Sequence, residues 1–120
     1  MYGINKNFDF SFLHNLELIS VHFANREVIL HFGVDVSINI ISSISYTNAE
    51  GVCTLYEEDL KPSAENLLSL LWQKVELAEP ISDKILSLTF SNNVIINIYD
   101  DSEIYESFVI QKGKKTLAVV

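Results

Sequence analysis

The stretch that decides the fold is Val28-Ile29-Leu30-His31-Phe32-Gly33-Val34-Asp35-Val36-Ser37-Ile38-Asn39-Ile40. Every second residue on both sides of Gly33-Val34-Asp35 is apolar, which is typical of two β-strands joined by a short turn. Parity places three pairs of apolar residues opposite one another: Phe32 and Val36, Leu30 and Ile38, Val28 and Ile40. We therefore predict an antiparallel pair of strands with one apolar face.

The residues before this stretch fit the same register. If Ala24 to Glu27 form a short loop, Phe23 faces Val28 and Val21 faces Leu30. The apolar face then extends across three strands. The opposite face carries Ser20, His22, Ile29 and His31.

The pattern recurs later in the chain. Leu30-His31-Phe32 matches Leu88-Thr89-Phe90, and at the same offset Val36, Ile38, Asn39 and Ile40 match Val94, Ile96, Asn97 and Ile98. The second turn, Ser91-Asn92-Asn93, contains residues that tolerate positive φ. Upstream we align Leu13, Leu16 and Val21 with Leu67, Leu70 and Val75, which requires extra residues in the second half. A duplicated unit is the simplest interpretation.

These patterns predict a mostly β (α+β) fold. Two antiparallel three-stranded units form a sandwich or a half-barrel within one domain, residues 1–120, whose internal repeat spans about 13–56 and 67–120. Pro62, Glu65 and the leucines up to Trp72 favour a helix of about ten residues, and a shorter equivalent is expected at 9–16. Further strands are expected at 44–46, 52–55, 105–110 and 116–120.

Composition limits the classes of function. With 120 residues, 48% of them hydrophobic, the chain can close one core. Eight Lys and Arg against sixteen Asp and Glu give a net charge of −8, so we expect no nucleic-acid partner and favour a basic protein instead. The longest uncharged stretch, Ile85 to Tyr99, is too short and too polar to span a bilayer. The N-terminus does not resemble a signal peptide, so we expect no membrane association and a cytoplasmic location.

Several kinds of chemical site lack a sufficient pattern. His22 and His31 are predicted to be diagonal neighbours on paired strands, but no third ligand for a metal is identifiable. Cys53 has no basic neighbour in sequence, so we interpret it as a small buried hydrophobic residue. The glycines are isolated and form no phosphate-binding loop. We expect no enzymatic activity, no catalytic residues, no metal and no cofactor.

Acidic residues are the strongest candidates for a partner-binding site. Clustered carboxylates in loops can meet Lys and Arg side chains, for example those of a nuclease active site. Tyr46, Tyr56, Tyr99 and Tyr105 are possible aromatic anchors if they are exposed. The candidate partner-binding acids are Glu57, Glu58, Asp59, Asp100, Asp101, Glu103 and Glu106.

The tandem arrangement resembles a known group of proteins. A Leu-x-x-x-x-Val entry, a Leu-x-Phe strand and a Val-x-Ile-x-Ile strand, closed by Tyr105-Glu106-Ser107-Phe108-Val109-Ile110, look like small bacterial proteins of polymorphic toxin systems. The resemblance covers about residues 13 to 110. It implies the role of an immunity protein, as in contact-dependent growth inhibition.

Two hypotheses lead, and a third class, a small enzyme or a carrier of an apolar ligand held in a cavity between the layers, stays open. The first is an immunity protein that binds a cognate toxin with a basic surface and blocks its active site. The second is a structural or oligomerisation module that pairs through exposed strand edges. The oligomeric state is left open.

Overall fold

The structure is a computed structural model that describes residues 3–103 and 105–120. Within these residues it has ten strands: β1 (Leu18–Ala24), β2 (Glu27–Phe32), β3 (Val36–Ile40), β4 (Ile44–Thr47), β5 (Cys53–Tyr56), β6 (Val75–Ser82), β7 (Ile85–Phe90), β8 (Ile95–Tyr99), β9 (Phe108–Lys112) and β10 (Lys115–Val119). The helical segments are short: 3₁₀ helices at Ser11–Leu13 and Lys61–Ser63, and helix α1 at Ala64–Leu68. No helix in the described ranges is long and apolar enough to cross a membrane.

The strands form two antiparallel five-stranded sheets that pack together. Sheet 1 has the order β1-β2-β3-β9-β10, and sheet 2 has the order β5-β4-β8-β7-β6. Each sheet therefore contains three strands from one half of the chain and a hairpin from the other half. The mostly β fold class and the two three-stranded units are confirmed.

The predicted register is confirmed residue by residue. In sheet 1, Val21 pairs with Leu30, and Leu30 pairs with Ile38. In sheet 2, Leu86 pairs with Ile98, and Leu88 pairs with Ile96. The paired apolar residues point inward. A one-residue slip of the register would turn every one of them to solvent, so burial of this face fixes the register.

The inner faces of both sheets belong to one hydrophobic core. Phe32, Ile38, Phe90 and Ile96 are each at most 2% exposed, and they belong to a single cluster that includes Phe108. Phe108 comes from the hairpin that crosses to sheet 1, so burying the core requires both halves of the chain.

The sheets also join edge to edge where β1 and β6 begin. Glu17 and Lys74 form an isolated antiparallel bridge. The Leu18 N–H donates to the Gln73 carbonyl at 3.0 Å, and the Val75 N–H donates to the Leu16 carbonyl at 2.9 Å. These two bonds occupy equivalent places in the two halves.

This seam corrects the upstream alignment of the repeat. Val75 pairs with Phe90 as Leu18 pairs with Phe32, so Leu18 and not Val21 is the counterpart of Val75. The alignment of Leu13 and Leu16 with Leu67 and Leu70 failed because the leucines before β1 and before β6 are closely spaced and can be matched in two registers. The pairing of strands decides between those registers, since it fixes which residues are buried.

The predicted ten-residue helix is also shorter in the structure. Helix α1 has five residues and follows the 3₁₀ helix Lys61–Ser63, and the chain then turns before β6. The turn is set by the seam, because Trp72 adopts a φ of 72° and its N–H donates to the Leu18 carbonyl. A continuing helix would place this N–H inside the helix instead.

Candidate functional site

The two connections that exchange the hairpins lie side by side. The Ile41 N–H, after β3, donates to the Ser107 carbonyl at 2.9 Å. The equivalent bond runs from the Tyr99 N–H, at the end of β8, to the Ser43 carbonyl at 3.1 Å. The crossing point is therefore held by matching backbone hydrogen bonds from both halves.

The connections differ in length. The β3–β4 connection spans only residues 41–43, whereas the β8–β9 connection spans residues 100–107. The same crossing is thus made with three residues in the first half, so the fold does not require the additional ones. Extra loop length on a rigid scaffold is a common location of binding residues.

The longer connection forms one side of a cleft at this crossing. The cleft has a volume of about 520 Å³, which admits several side chains of a partner. It lies where the β1–β2 turn, the two crossing connections and the segment after β5 meet. Its lining residues are Arg26, Ile41, Ser42, Ser43, Glu57, Glu58, Asp101, Ser102 and Tyr105.

Three of the predicted partner-binding acids therefore lie together. Glu57 and Glu58 follow β5, and Asp101 follows β8, and all three are exposed. Asp101 is also held in place, because its Oδ1 accepts a hydrogen bond from the Ser43 N–H at 3.2 Å. One base, Arg26, lines the same cleft, so acidic groups outnumber basic ones and a cationic side chain is the ligand that they favour.

Asp100 has a different environment from the other acids. It is 4% exposed, and its carboxylate accepts hydrogen bonds from the Ser107 hydroxyl and the Gly3 N–H, both at 2.7 Å. The Lys84 Nζ lies 3.7 Å from its Oδ2. Through these contacts Asp100 fixes the β8–β9 connection, so it does not belong to the proposed contact surface.

The remaining predicted acids lie around the cleft. Asp59 is exposed, and its Oδ1 accepts a hydrogen bond from the Lys61 N–H at 3.0 Å, at the start of the 3₁₀ helix. Glu103 is exposed and lines a neighbouring depression with Lys84 and Asp101. Glu106 is half-buried and does not line the cleft.

Ser42 is a cleft residue that the sequence patterns missed. It is 5% exposed, and its hydroxyl has no hydrogen-bond partner among the described residues. A buried unpaired hydroxyl is unfavourable unless a ligand or a partner group completes it. The break in alternation at Ile41-Ser42-Ser43 was the signal in the sequence, but it did not indicate which groups the serines would face.

Of the four candidate tyrosines, one is exposed in the cleft, and the phenols of the other three are hydrogen-bonded to other side chains. Tyr105 is 62% exposed and lines the cleft. The phenols of the other three are hydrogen-bonded within the chain: Tyr46 with Ser69 at 3.3 Å, Tyr56 with Asn66 at 2.7 Å, and Tyr99 with Ser45 at 3.1 Å. Tyr105 is therefore the candidate aromatic anchor.

The histidine pair has the predicted geometry. His22 and His31 are diagonal neighbours, and their ring centroids lie 4.6 Å apart. Partial burial, with a smaller effect from His22, lowers the pKa of His31 below its ordinary value. Within residues 3–103 and 105–120, no group of three or more His, Cys, Asp and Glu side chains is arranged to hold a metal ion.

The prediction that Cys53 is buried is wrong. Cys53 is exposed, as are Thr54 and Leu55 on the same strand. The reason is position: β5 is the outermost strand of sheet 2, and burial requires a covering element that the sequence pattern cannot reveal.

Comparisons with protein-family models, with curated proteins and with solved structures found no match.

Proposed function

We propose that this chain is an immunity protein, which binds a cognate toxin with a basic surface and blocks the toxin's active site. The observation that carries the proposal is the acidic cleft, where two separate segments place Glu57, Glu58 and Asp101 together on a rigid two-sheet scaffold. The resemblance to proteins of polymorphic toxin systems supports the same class of function.

The chemistry of the cleft suits a basic protein surface. Exposed carboxylates attract Lys and Arg side chains at long range and so accelerate association. Tyr105 supplies a large side chain that a partner can bury with little ordering of rotatable bonds. This mode of inhibition is steric and electrostatic and requires no catalytic group in the chain.

The proposal places the protein in the cytoplasm, where its single thiol, Cys53, would stay reduced. The net charge of −8 also favours a basic protein over nucleic acid as the partner.

The proposal predicts a toxin gene beside the gene of this chain, and the test uses that toxin's purified domain and an assay of its activity. We expect an equimolar amount of this protein to abolish the activity. The double substitution Glu57→Gln and Glu58→Gln should weaken inhibition by about tenfold or more, because it removes two charges from the cleft. Tyr105→Ala should weaken binding to a similar degree, mainly by faster dissociation.

The matched control is Glu76→Gln with Glu79→Gln. Both residues are exposed on β6, at the opposite edge of sheet 2, and their substitution changes the net charge by the same amount. This control should inhibit like the wild type. Full toxin activity in the presence of the wild-type protein, or equal losses in both double variants, would contradict the proposal.

The second candidate function is a self-associating module, favoured by the outer edge of β5, with which no other described strand pairs. Sedimentation velocity over a wide range of concentrations tests it. A stable dimer with no affinity for the toxin would favour this second function.

A further inference from the structure

The outer edge of β5 is an unpaired strand edge. Along its inner edge β5 pairs with β4, and no other described strand pairs with its outer edge. Cys53, Thr54 and Leu55 are all exposed, and Leu55 is 53% exposed. The backbone of β5 is therefore open to a further strand.

Two backbone hydrogen bonds show which groups point outward. The Asn48 N–H donates to the Val52 carbonyl at 3.0 Å, so the alternation of an antiparallel ladder assigns Thr54 and Tyr56 to the bonds with β4. On the other side of β4, the bond from the Tyr99 N–H to the Ser43 carbonyl leads to the same assignment of the residues of β4 that bond to β5. The N–H and carbonyl groups of Cys53 and Leu55 thus face outward.

The other sheet edges carry protection that β5 lacks. At the far end of sheet 1, β10 begins with Lys115 and contains a bulge between Thr116 and Ala118. Among the described residues, β1 and β6 are bridged only where they begin, but β1 has a bulge between Leu18 and Ser20, and β6 has two bulges and carries Glu76, Glu79 and Pro80. Charged residues and bulges are the usual means of blocking strand addition, and β5 has a continuous register with no charged residue.

Acidic residues flank β5 at both ends. Glu50 precedes the strand, while Glu57 and Glu58 follow it. A second copy of β5 would bring like charges together, since both ends are acidic in either strand direction. A strand with basic residues at both ends would instead meet opposite charges. One of its ends would reach the acidic cleft, because Glu57 and Glu58 also line the cleft.

We infer that the outer edge of β5 binds an extended segment of a partner protein, with uncharged side chains along the strand and Lys or Arg at both ends. The N–H and carbonyl groups of Cys53 and Leu55 form the main-chain bonds, and the flanking acids select the charge. If the proposed function is correct, the toxin supplies this segment. Only that identification of the partner rests on the proposed function.

The probe is a short synthetic peptide of alternating valine and threonine with two lysines at each end. It is added to the whole isotope-labelled protein, and amide hydrogen exchange is measured by NMR. We expect protection and shifts at Cys53 and Leu55, and binding about tenfold weaker for the same peptide with glutamates at its ends. A version N-methylated along its bonding edge should not bind.

A matched pair of variants locates the site. Leu55→Lys places a charge on the edge of β5, and Val119→Lys places the same charge on β10, where Val119 is 43% exposed. Leu55→Lys should weaken binding of the lysine-ended peptide by about tenfold or more, and Val119→Lys should leave it unchanged.

The outcomes separate this inference from the proposed function. No peptide binding, binding away from β5, or equal binding of both charged peptides overturns the inference, as does a dimer of the free protein that Leu55→Lys dissociates. Toxin inhibition that Leu55→Lys leaves intact also overturns it, while the proposed function stands. If the peptide binds at β5 but the wild-type protein does not inhibit the toxin, the inference stands and the proposed function is contradicted.

Discussion

Asn15 and Trp72 occupy equivalent positions on the two sides of the seam. The Asn15 N–H donates to the Val75 carbonyl at 2.7 Å, and the Trp72 N–H donates to the Leu18 carbonyl at 2.8 Å. Their φ angles are 69° and 72°. Asparagine tolerates this left-handed conformation, whereas for a bulky residue such as tryptophan it is strained.

The strain at Trp72 leads to the first prediction. Trp72 is 61% exposed, so Trp72→Gly removes a mostly exposed side chain and relieves the backbone. We expect the free energy of unfolding to rise by about 1 kcal/mol. Urea denaturation measures it. Asn15→Ala is the reverse test and should lower the same quantity by about 1 kcal/mol; a destabilised Trp72→Gly variant would contradict this explanation.

The exchanged hairpins predict how the chain can be divided. A fragment ending after Glu58 lacks the strand β8 on which its β4 pairs, and the remaining fragment lacks β3 for its β9. Each fragment alone should therefore be largely unfolded by circular dichroism. Mixing the two should restore the β signal, because the shared core forms only when both are present. A fragment that folds cooperatively on its own would disprove this dependence.

Two buried serines should respond differently to alanine. The Ser63 hydroxyl, which is fully buried, donates to the Leu60 carbonyl at 2.5 Å. Ser63→Ala should lower the free energy of unfolding by about 0.5–1.5 kcal/mol. Ser42→Ala removes a hydroxyl without a partner among the described residues, so stability should stay unchanged or rise by up to about 1 kcal/mol. Equal losses in denaturant titrations would show that Ser42 is satisfied in solution.

The lowered pKa of His31 predicts a dependence of stability on pH. Partial burial is the larger cause of the lowered pKa, and the nearby His22 is the smaller one. Asp35 lines the same surface groove as the two histidines. The unfolded chain binds this proton more readily than the folded chain does. The free energy of unfolding should therefore fall as the pH drops from 6.5 to the lowered pKa of His31. Below that pKa both states are protonated, and the loss of stability due to His31 stays constant. His31→Gln should remove this contribution.

NMR titration of the ring protons checks the pKa directly. His22→Gln should raise the pKa of His31 only partway towards its ordinary value, since burial is the larger cause. A full return to the ordinary value would mean that charge repulsion by His22 dominates instead.

The sequence by itself determined the register and the inner faces of β1, β2 and β3 and of β7 and β8. Alternation is a local property: once Phe32 and Val36 face each other across a turn, the parity of every other residue in those strands follows. The same reasoning found the second unit, because hydrophobic alternation repeats at a fixed offset.

Only the tertiary structure decided how the units combine. The exchange of hairpins brings Ile41 beside Ser107, residues far apart in sequence, and no local pattern specifies such a contact. The acidic cleft depends on that contact, as do the burial of Asp100 and the exposure of Cys53. Sequence could indicate which residues are acidic, but burial and proximity are properties of the packed chain.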